Sequence, residues 1–234
     1  MTVPLLLAFD TATPHLAVVL SEGSRPVAWR EDPGAGRSHA EQLNVRIAEV
    51  MEEAGVPLEK LDAVAVGTGP GSYTGLRIGL SAAKGLCFAM GKPLIGMGTL
   101  DVLLAQYLEA GGLVPPGDIL MPMVDARRME VYTRAFDRGG RPLGETAPLI
   151  LDGDWCGSRD RTVRTHVFGD GADKAAGLWA GHPAIVHAAG IRPGVAGLAR
   201  CAADCFARGR FSDLAHLVPE YGKPANVAGK RGRE

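Results

Sequence analysis

The apolar and polar positions of this chain begin with short runs of the kind that strands make. Leu5 to Phe9 is continuously apolar and predicts a buried strand; after Asp-Thr-Ala-Thr-Pro, the run Leu16 to Leu20 predicts a second. Ser-Glu-Gly-Ser then turns the chain into a third strand, around Val27 to Arg30. Helical spacing comes next. Leu43, Ile47, Val50, Met51 and Ala54 fall on one stripe, with Glu49, Glu52 and Glu53 among the polar positions. Ser38 and Glu41 form a capping box at its start, and Gly55 with Pro57 ends it. Asp62 to Thr68 reads as a buried strand, Tyr73 to Met90 as a helix, Pro93 to Met97 as a strand and Thr99 to Ala110 as a helix.

Gly111-Gly-Leu-Val-Pro-Pro-Gly117 is rich in breakers and marks the expected junction between two lobes, residues 1–110 and 111–234. The second half of the chain echoes the first. An apolar run, Asp10, a turn, Leu16 to Leu20, Gly23 and Arg25-Pro26 correspond to Ile119 to Val124, Asp125, a turn, Val131 to Phe136, Gly139-Gly140 and Arg141-Pro142. This weak internal repeat suggests two lobes built on one template. Further on, Thr165 to Phe168 predicts a strand, with helices after Asp170 and from Val195 to Arg208. The tail from about Lys223 is expected to be flexible, with Lys223, Lys230, Arg231 and Arg233 solvated.

The segment Gly67-Thr-Gly-Pro-Gly-Ser-Tyr-Thr-Gly-Leu-Arg-Ile-Gly79 changes the picture, because glycine inside a helix costs about 1 kcal/mol relative to alanine. A strand, a glycine turn and a helix N-terminus invite a phosphate site. The details argue otherwise. Ser72 stands where the third glycine of a dinucleotide fingerprint belongs, no Gly-Lys-Ser/Thr comes after it, and the next strand ends at Gly96-Met97 without an acid for a ribose. Gly71, Gly75 and Gly79, with Ala82 and Ala83 a turn on, instead predict a groove that another helix fills, within the chain or from another subunit.

Composition narrows the classes. The chain has 234 residues, 46% of them hydrophobic, and a formal net charge of −1, so no global basic field draws it to nucleic acid. No apolar run approaches the roughly 20 residues of a membrane span, and the N-terminus has no basic leader; the expected location is the cytoplasm, without membrane contact. Cys87, Cys156, Cys201 and Cys205 form no CxxC pair and predict reduced, mostly buried thiols. His15, His39, His166, His182, His187 and His216 include no HExxH and no i,i+4 pair, so no metal site is expected. Neither Ser72 nor Cys87 lies in a nucleophile signature. Asp10 and Asp125 each precede a hairpin turn, as in the phosphate hairpins of actin-like ATPases and sugar kinases. Neither turn contains glycine, and Pro14 has no N–H to donate, so both aspartates are expected to be turn acceptors.

Leu-Ala-Phe-Asp-Thr-Ala-Thr at the start, Ser-His-Ala-Glu-Gln-Leu at 38–43, the glycine segment at 67–79, Ala-Lys-Gly at 83–85 and Val-Asp-Ala-Arg-Arg-Met-Glu-Val-Tyr at 124–132 together resemble the TsaB (YeaZ) family. The resemblance implies an α/β fold of two RNase H-like lobes in the actin-like ATPase and sugar kinase superfamily. It implies a non-catalytic subunit of tRNA threonylcarbamoyladenosine synthesis, a glycoprotease-like paralogue of the transferase TsaD. TsaD would be its partner, TsaE and tRNA would be reached through the complex, and a homodimer would form when TsaD is absent. The contact helices would be those from Ser38 and from Tyr73, carrying His39, Leu43, Ile47, Ser72, Tyr73, Gly75, Leu76, Arg77, Gly79 and Ala82. No catalytic residue, cofactor or metal is implied, since TsaD-type enzymes hold metal through His-x-x-x-His, which this chain lacks. A metallopeptidase or a kinase on the same fold remains the alternative. Past Gly140 the resemblance fades, and Pro-Glu-Tyr-Gly-Lys-Pro near the end departs from the family's usual Tyr-Leu-Arg.

Overall fold

A computed structural model describes residues 2–34 and 39–222. Ser38, and with it the expected capping box, lies outside the described residues, as does the tail from Lys223. The chain builds two five-stranded mixed sheets. In the first, β1 (Leu5–Asp10) pairs antiparallel with β2 (Leu16–Glu22), which pairs with β3 (Arg25–Asp32). After helix α1 (His39–Ala54), β4 (Ala63–Gly69) joins β1 in parallel; after α2 (Tyr73–Met90), β5 (Leu94–Gly98) joins β4. The order is β3-β2-β1-β4-β5.

Helix α3 (Thr99–Glu109) leads to the second sheet, whose β6 (Ile119–Asp125) and β7 (Glu130–Thr133) form a hairpin extended by β8 (Ala147–Ile150). The short α4 (Gly153–Gly157) precedes β9 (Thr165–Phe168), parallel to β6. Then α5 (Asp170–Lys174) and α6 (Ala176–Trp179) precede β10 (Ile185–Ala188), parallel to β9. Read from β8, the order β8-β7-β6-β9-β10 repeats that of the first sheet strand for strand, so the repeat seen in the sequence is one of topology. The structure adds β8 and β10, which the apolar pattern does not reveal. The expected strand to Phe136 is shorter, with Phe136 making isolated bridges to Leu120 and Pro142.

Alternation along the strands explains the layers. Leu7, Phe9, Val18, Leu20, Val64 and Val66 face α1 and α2; Leu6, Ala8, Ala17, Val19, Ala63 and Ala65 face the other way. That other side is closed by the last helix, α7 (Val195–Ala207), through Leu198, Ala202 and Cys205. Although the sequence division places α7 in the second lobe, it packs on the first sheet, as does the segment after it: Ser212 N donates to Leu94 O at 2.7 Å and Glu220 N to Thr68 O at 2.8 Å. Helix α3 shares both cores, with Val102 towards α7 and Leu100, Leu103, Leu104 and Tyr107 towards the second sheet.

A buried polar chain pins α3 to that sheet. His166 Nε2 donates to Asp118 Oδ2 at 2.8 Å, which fixes the tautomer whose Nδ1 accepts from the Tyr107 hydroxyl at 2.8 Å. Burial, reinforced by Asp118, pushes the Tyr107 phenol up. Tyr107→Phe leaves the His166 nitrogen buried without a partner, and we expect a loss of about 1–3 kcal/mol. A lower urea midpoint at unchanged m-value checks it; an unchanged midpoint refutes it.

Candidate functional site

Three glycines of the 67–79 segment turn inward, which corrects the expectation of a groove for another helix. A Cβ on Gly75 would stand 2.0 Å from the Thr11 carbonyl oxygen, one on Gly79 2.4 Å from Thr11 Oγ1, and one on Gly71 2.3 Å from the Ala12 carbonyl oxygen. What approaches α2 so closely is the β1–β2 turn of the same chain. Thr11 Oγ1 donates to Gly75 O at 2.7 Å, and Ser72 N donates to Ala12 O at 2.7 Å. Ser72 caps α2, its Oγ accepting from Gly75 N at 3.2 Å, and Gly91 closes the other end in the left-handed region. A backbone carbonyl thus already occupies an amide at the start of this helix, where a phosphate loop would hold its ligand.

Asp10 sits beneath that turn, fully buried. Its Oδ1 accepts from Ala12 N at 2.7 Å and its Oδ2 from Thr99 Oγ1 at 3.3 Å, while a Cβ on Gly67 would lie 2.0 Å from Oδ2. Burial raises its carboxyl from 3.8 to about 6, against the smaller lowering effects of Ala12, Thr99, His39 and His15. Asp125 is the exposed counterpart, accepting from Arg127 N at 2.7 Å. Both carboxylates therefore act as turn acceptors. His39 ties the start of α1 to the same turn, donating from Nε2 to Thr13 O at 2.7 Å. Among the described residues no group of three or more His, Cys, Asp or Glu could hold a metal, and no helix is long and apolar enough to cross a membrane. Burial pushes the Cys87 thiol up to about 11, so it is no nucleophile.

The ten residues placed on the contact helices by resemblance divide by exposure. Leu43, Ile47, Gly75, Leu76 and Gly79 are buried in the chain's own core; His39 and Ala82 are half-buried; Ser72, Tyr73 and Arg77 are exposed. Tyr73, 53% exposed, stacks on Tyr221 with centroids 4.7 Å apart, and Arg77 lies over its ring and donates to its hydroxyl at 2.7 Å. Leu214 and Leu217 anchor the segment that brings Tyr221 there. Both helices also expose residues the resemblance does not supply: Val45, 50% exposed, and Ala48 on α1, and Ser81, Gly85, Phe88 and Ala89 on α2. Phe88 is 82% exposed. The signal for it was available, since Val45 and Phe88 are apolar residues out of phase with the buried stripes of their helices.

Comparison with solved structures places this architecture in the class of actin-like ATPase and sugar kinase folds. A polyphosphate/ATP-glucomannokinase from an Arthrobacter species superposes with a TM-score of 0.51 over 88% of this chain and 99% of its own, at 14% identity, a likeness of fold alone. YeaZ from Pseudomonas aeruginosa superposes with a TM-score of 0.75 over 93% of this chain and 99% of its own, at 28% identity. In sequence, the family model of TsaD, tRNA N6-adenosine threonylcarbamoyltransferase, matches residues 33–151. An uncharacterized protein of Mycobacterium tuberculosis is 35% identical over 150 residues, 64% of this chain and 67% of its own. The Escherichia coli tRNA threonylcarbamoyladenosine biosynthesis protein TsaB is 30% identical over 149 residues, 62% of each chain. The chain belongs to the TsaB (YeaZ) family, named for its part in threonylcarbamoyladenosine biosynthesis in tRNA.

Proposed function

We propose that this chain is a non-catalytic scaffold subunit in tRNA threonylcarbamoyladenosine synthesis, and that a TsaD-type transferase docks on the outer face of α1 and α2. The observation that carries the reading is Phe88. A phenyl ring 82% exposed on α2, with exposed Gly85 and Ala89 beside it in the helix and exposed Val45 and Ala48 on α1, is apolar surface in need of a partner. Covering such a ring contributes about 1.5–3 kcal/mol. Support for the choice of partner comes from the family to which the chain belongs and from the TsaD family model across residues 33–151.

The reading is supported over an enzyme by the β1–β2 turn, whose Ala12 carbonyl takes up the Ser72 amide at the start of α2, where a phosphate loop would hold its ligand. Docking would favour the competent conformation of the transferase, with TsaE and tRNA recruited through the complex. Without the transferase, the same face would pair two copies of this chain.

Phe88→Asp tests this. The side chain is solvent-exposed, so circular dichroism and melting should be unchanged, while affinity for the TsaD subunit of the same organism should fall at least about 30-fold. Wild-type affinity in the variant would overturn the docking face. A wild-type chain that self-associates yet fails to bind TsaD would leave the face a homodimer surface and overturn the scaffold reading.

A further inference from the structure

A cleft of about 620 Å³ lies on the side of the first sheet that α3 and α7 cover, away from the proposed docking face. Neither the Thr11–Pro14 turn nor the turn after Asp125 lines it. Its charges do not cancel. Asp101 is held by Arg134 at 2.5 Å, and Arg200 serves both Glu109 at 3.4 Å and Asp204 at 3.3 Å, so two arginines satisfy all three acids. Arg208 and Arg210 remain. Both are exposed just beyond the C-terminal end of α7, line the cleft, and have no ion-pair partner among the described residues.

Arg208 and Arg210 leave the lining with an excess of positive charge, and the planar guanidinium suits the paired oxygens of carboxylates and phosphates. Much of the rest of the lining is apolar: Leu104 and Leu108 of α3 and Pro142 form walls, with Gly98 and Gly140 beside them. The volume is that of a small-molecule site. Cys201 and Cys205 also line it, but burial pushes both thiols up, so the cleft is equipped to bind rather than to react covalently.

We propose that this cleft binds a small organic oxyanion with an apolar body, its charged head between Arg208 and Arg210 and its body against Leu104 and Leu108. Arg134 and the Gly139–Pro142 turn come after β7 in the second sheet's hairpin, whereas Gly98 ends β5 of the first, so an occupant bridges both sheets and stabilises their arrangement. This inference is independent of the docking face and stands or falls separately.

Amide-resolved NMR titration of the full chain tests it, with phenyl phosphate in one arm and benzoate in the other. We expect saturable shifts at Gly98, Leu108 and Gly140 with at least one probe. Response to phenyl phosphate alone assigns a phosphate ester, and response to benzoate alone a carboxylate. The double variant Arg208→Ala, Arg210→Ala should weaken binding at least about tenfold, as each single variant should in part, while Arg192→Ala, at an arginine paired with Asp173 outside the cleft, should not. Both arginines are exposed and unpaired, so melting without probe should match the wild type. No saturable shift with either probe up to about 10 mM, or shifts that survive in the double variant, would overturn the site.

Discussion

Gly75→Ala should destabilise the fold severely, although alanine is the better helix former by about 1 kcal/mol. The new methyl would stand 2.0 Å from the Thr11 carbonyl oxygen, a main-chain atom that cannot rotate aside. Relief requires the β1–β2 turn to lift from α2. That movement breaks the Ser72 N to Ala12 O and Thr11 Oγ1 to Gly75 O bonds and opens the cavity holding Asp10. The cost should exceed the about 1–3 kcal/mol of ordinary overpacking, a large share of the roughly 5–15 kcal/mol by which a domain is stable. Gly85→Ala is the control on the same helix. Nothing lies within 4 Å of its added methyl, so it should gain about 0.5–1 kcal/mol and melt about 1–4 °C higher. Thermal denaturation followed by circular dichroism decides the matter, and a Gly75→Ala protein melting with the wild type would refute the close approach.

Asp10 sets the second large effect, a dependence of stability on pH. Its carboxyl is raised from 3.8 to about 6 in the folded protein, chiefly by burial, so between those values the folded chain keeps a proton the unfolded chain has lost. Stability from this group is therefore full below pH 3.8, falls as pH rises, and levels off above about 6. At about 1.4 kcal/mol for each pH unit, the total comes to roughly 3 kcal/mol. Asp10→Asn keeps an oxygen for Ala12 N and an amide for Thr99 but cannot ionise. The stability of the variant relative to wild type, from urea unfolding at pH 4 and pH 7.5, should rise by roughly 3 kcal/mol across that span. A difference that does not change with pH would show that Asp10 is solvated when ionised.

Much of the fold was legible because the central strands are buried on both faces. Leu5 to Phe9 and Leu16 to Leu20 read as unbroken apolar runs since alternate residues meet α1 and α2 on one side and α7 on the other. The short outer strands were not. Ala147–Ile150 and Ile185–Ala188 are four-residue edge strands, partly exposed, and contain Pro148 and His187. Such strands leave little pattern. The glycine stripe was visible but its neighbour was not, because the atoms that press on Gly71 and Gly75 are the carbonyls of Thr11 and Ala12, and main chain has no signature in sequence. Of the contact residues drawn from resemblance, Tyr73 and Arg77 point outward, whereas Leu43 and Ile47 are core stripe residues. Phe88 escapes a search for buried stripes because it lies on the opposite face of its helix.

The placement of α7 governs the order in which this chain can become stable. The first sheet is complete once Gly98 has been made, yet Leu6, Ala8, Val19 and Ala65 are covered only in part, by Val102 of α3, until Leu198, Ala202 and Cys205 emerge, after the whole second sheet. A fragment ending near Glu109 would present the part of that apolar face that α7 covers to solvent and should aggregate or recruit chaperones rather than stand as an independent domain. Synthesis from the N-terminus thus gives the first half no lasting advantage, because one face of its sheet closes only when the last helix arrives.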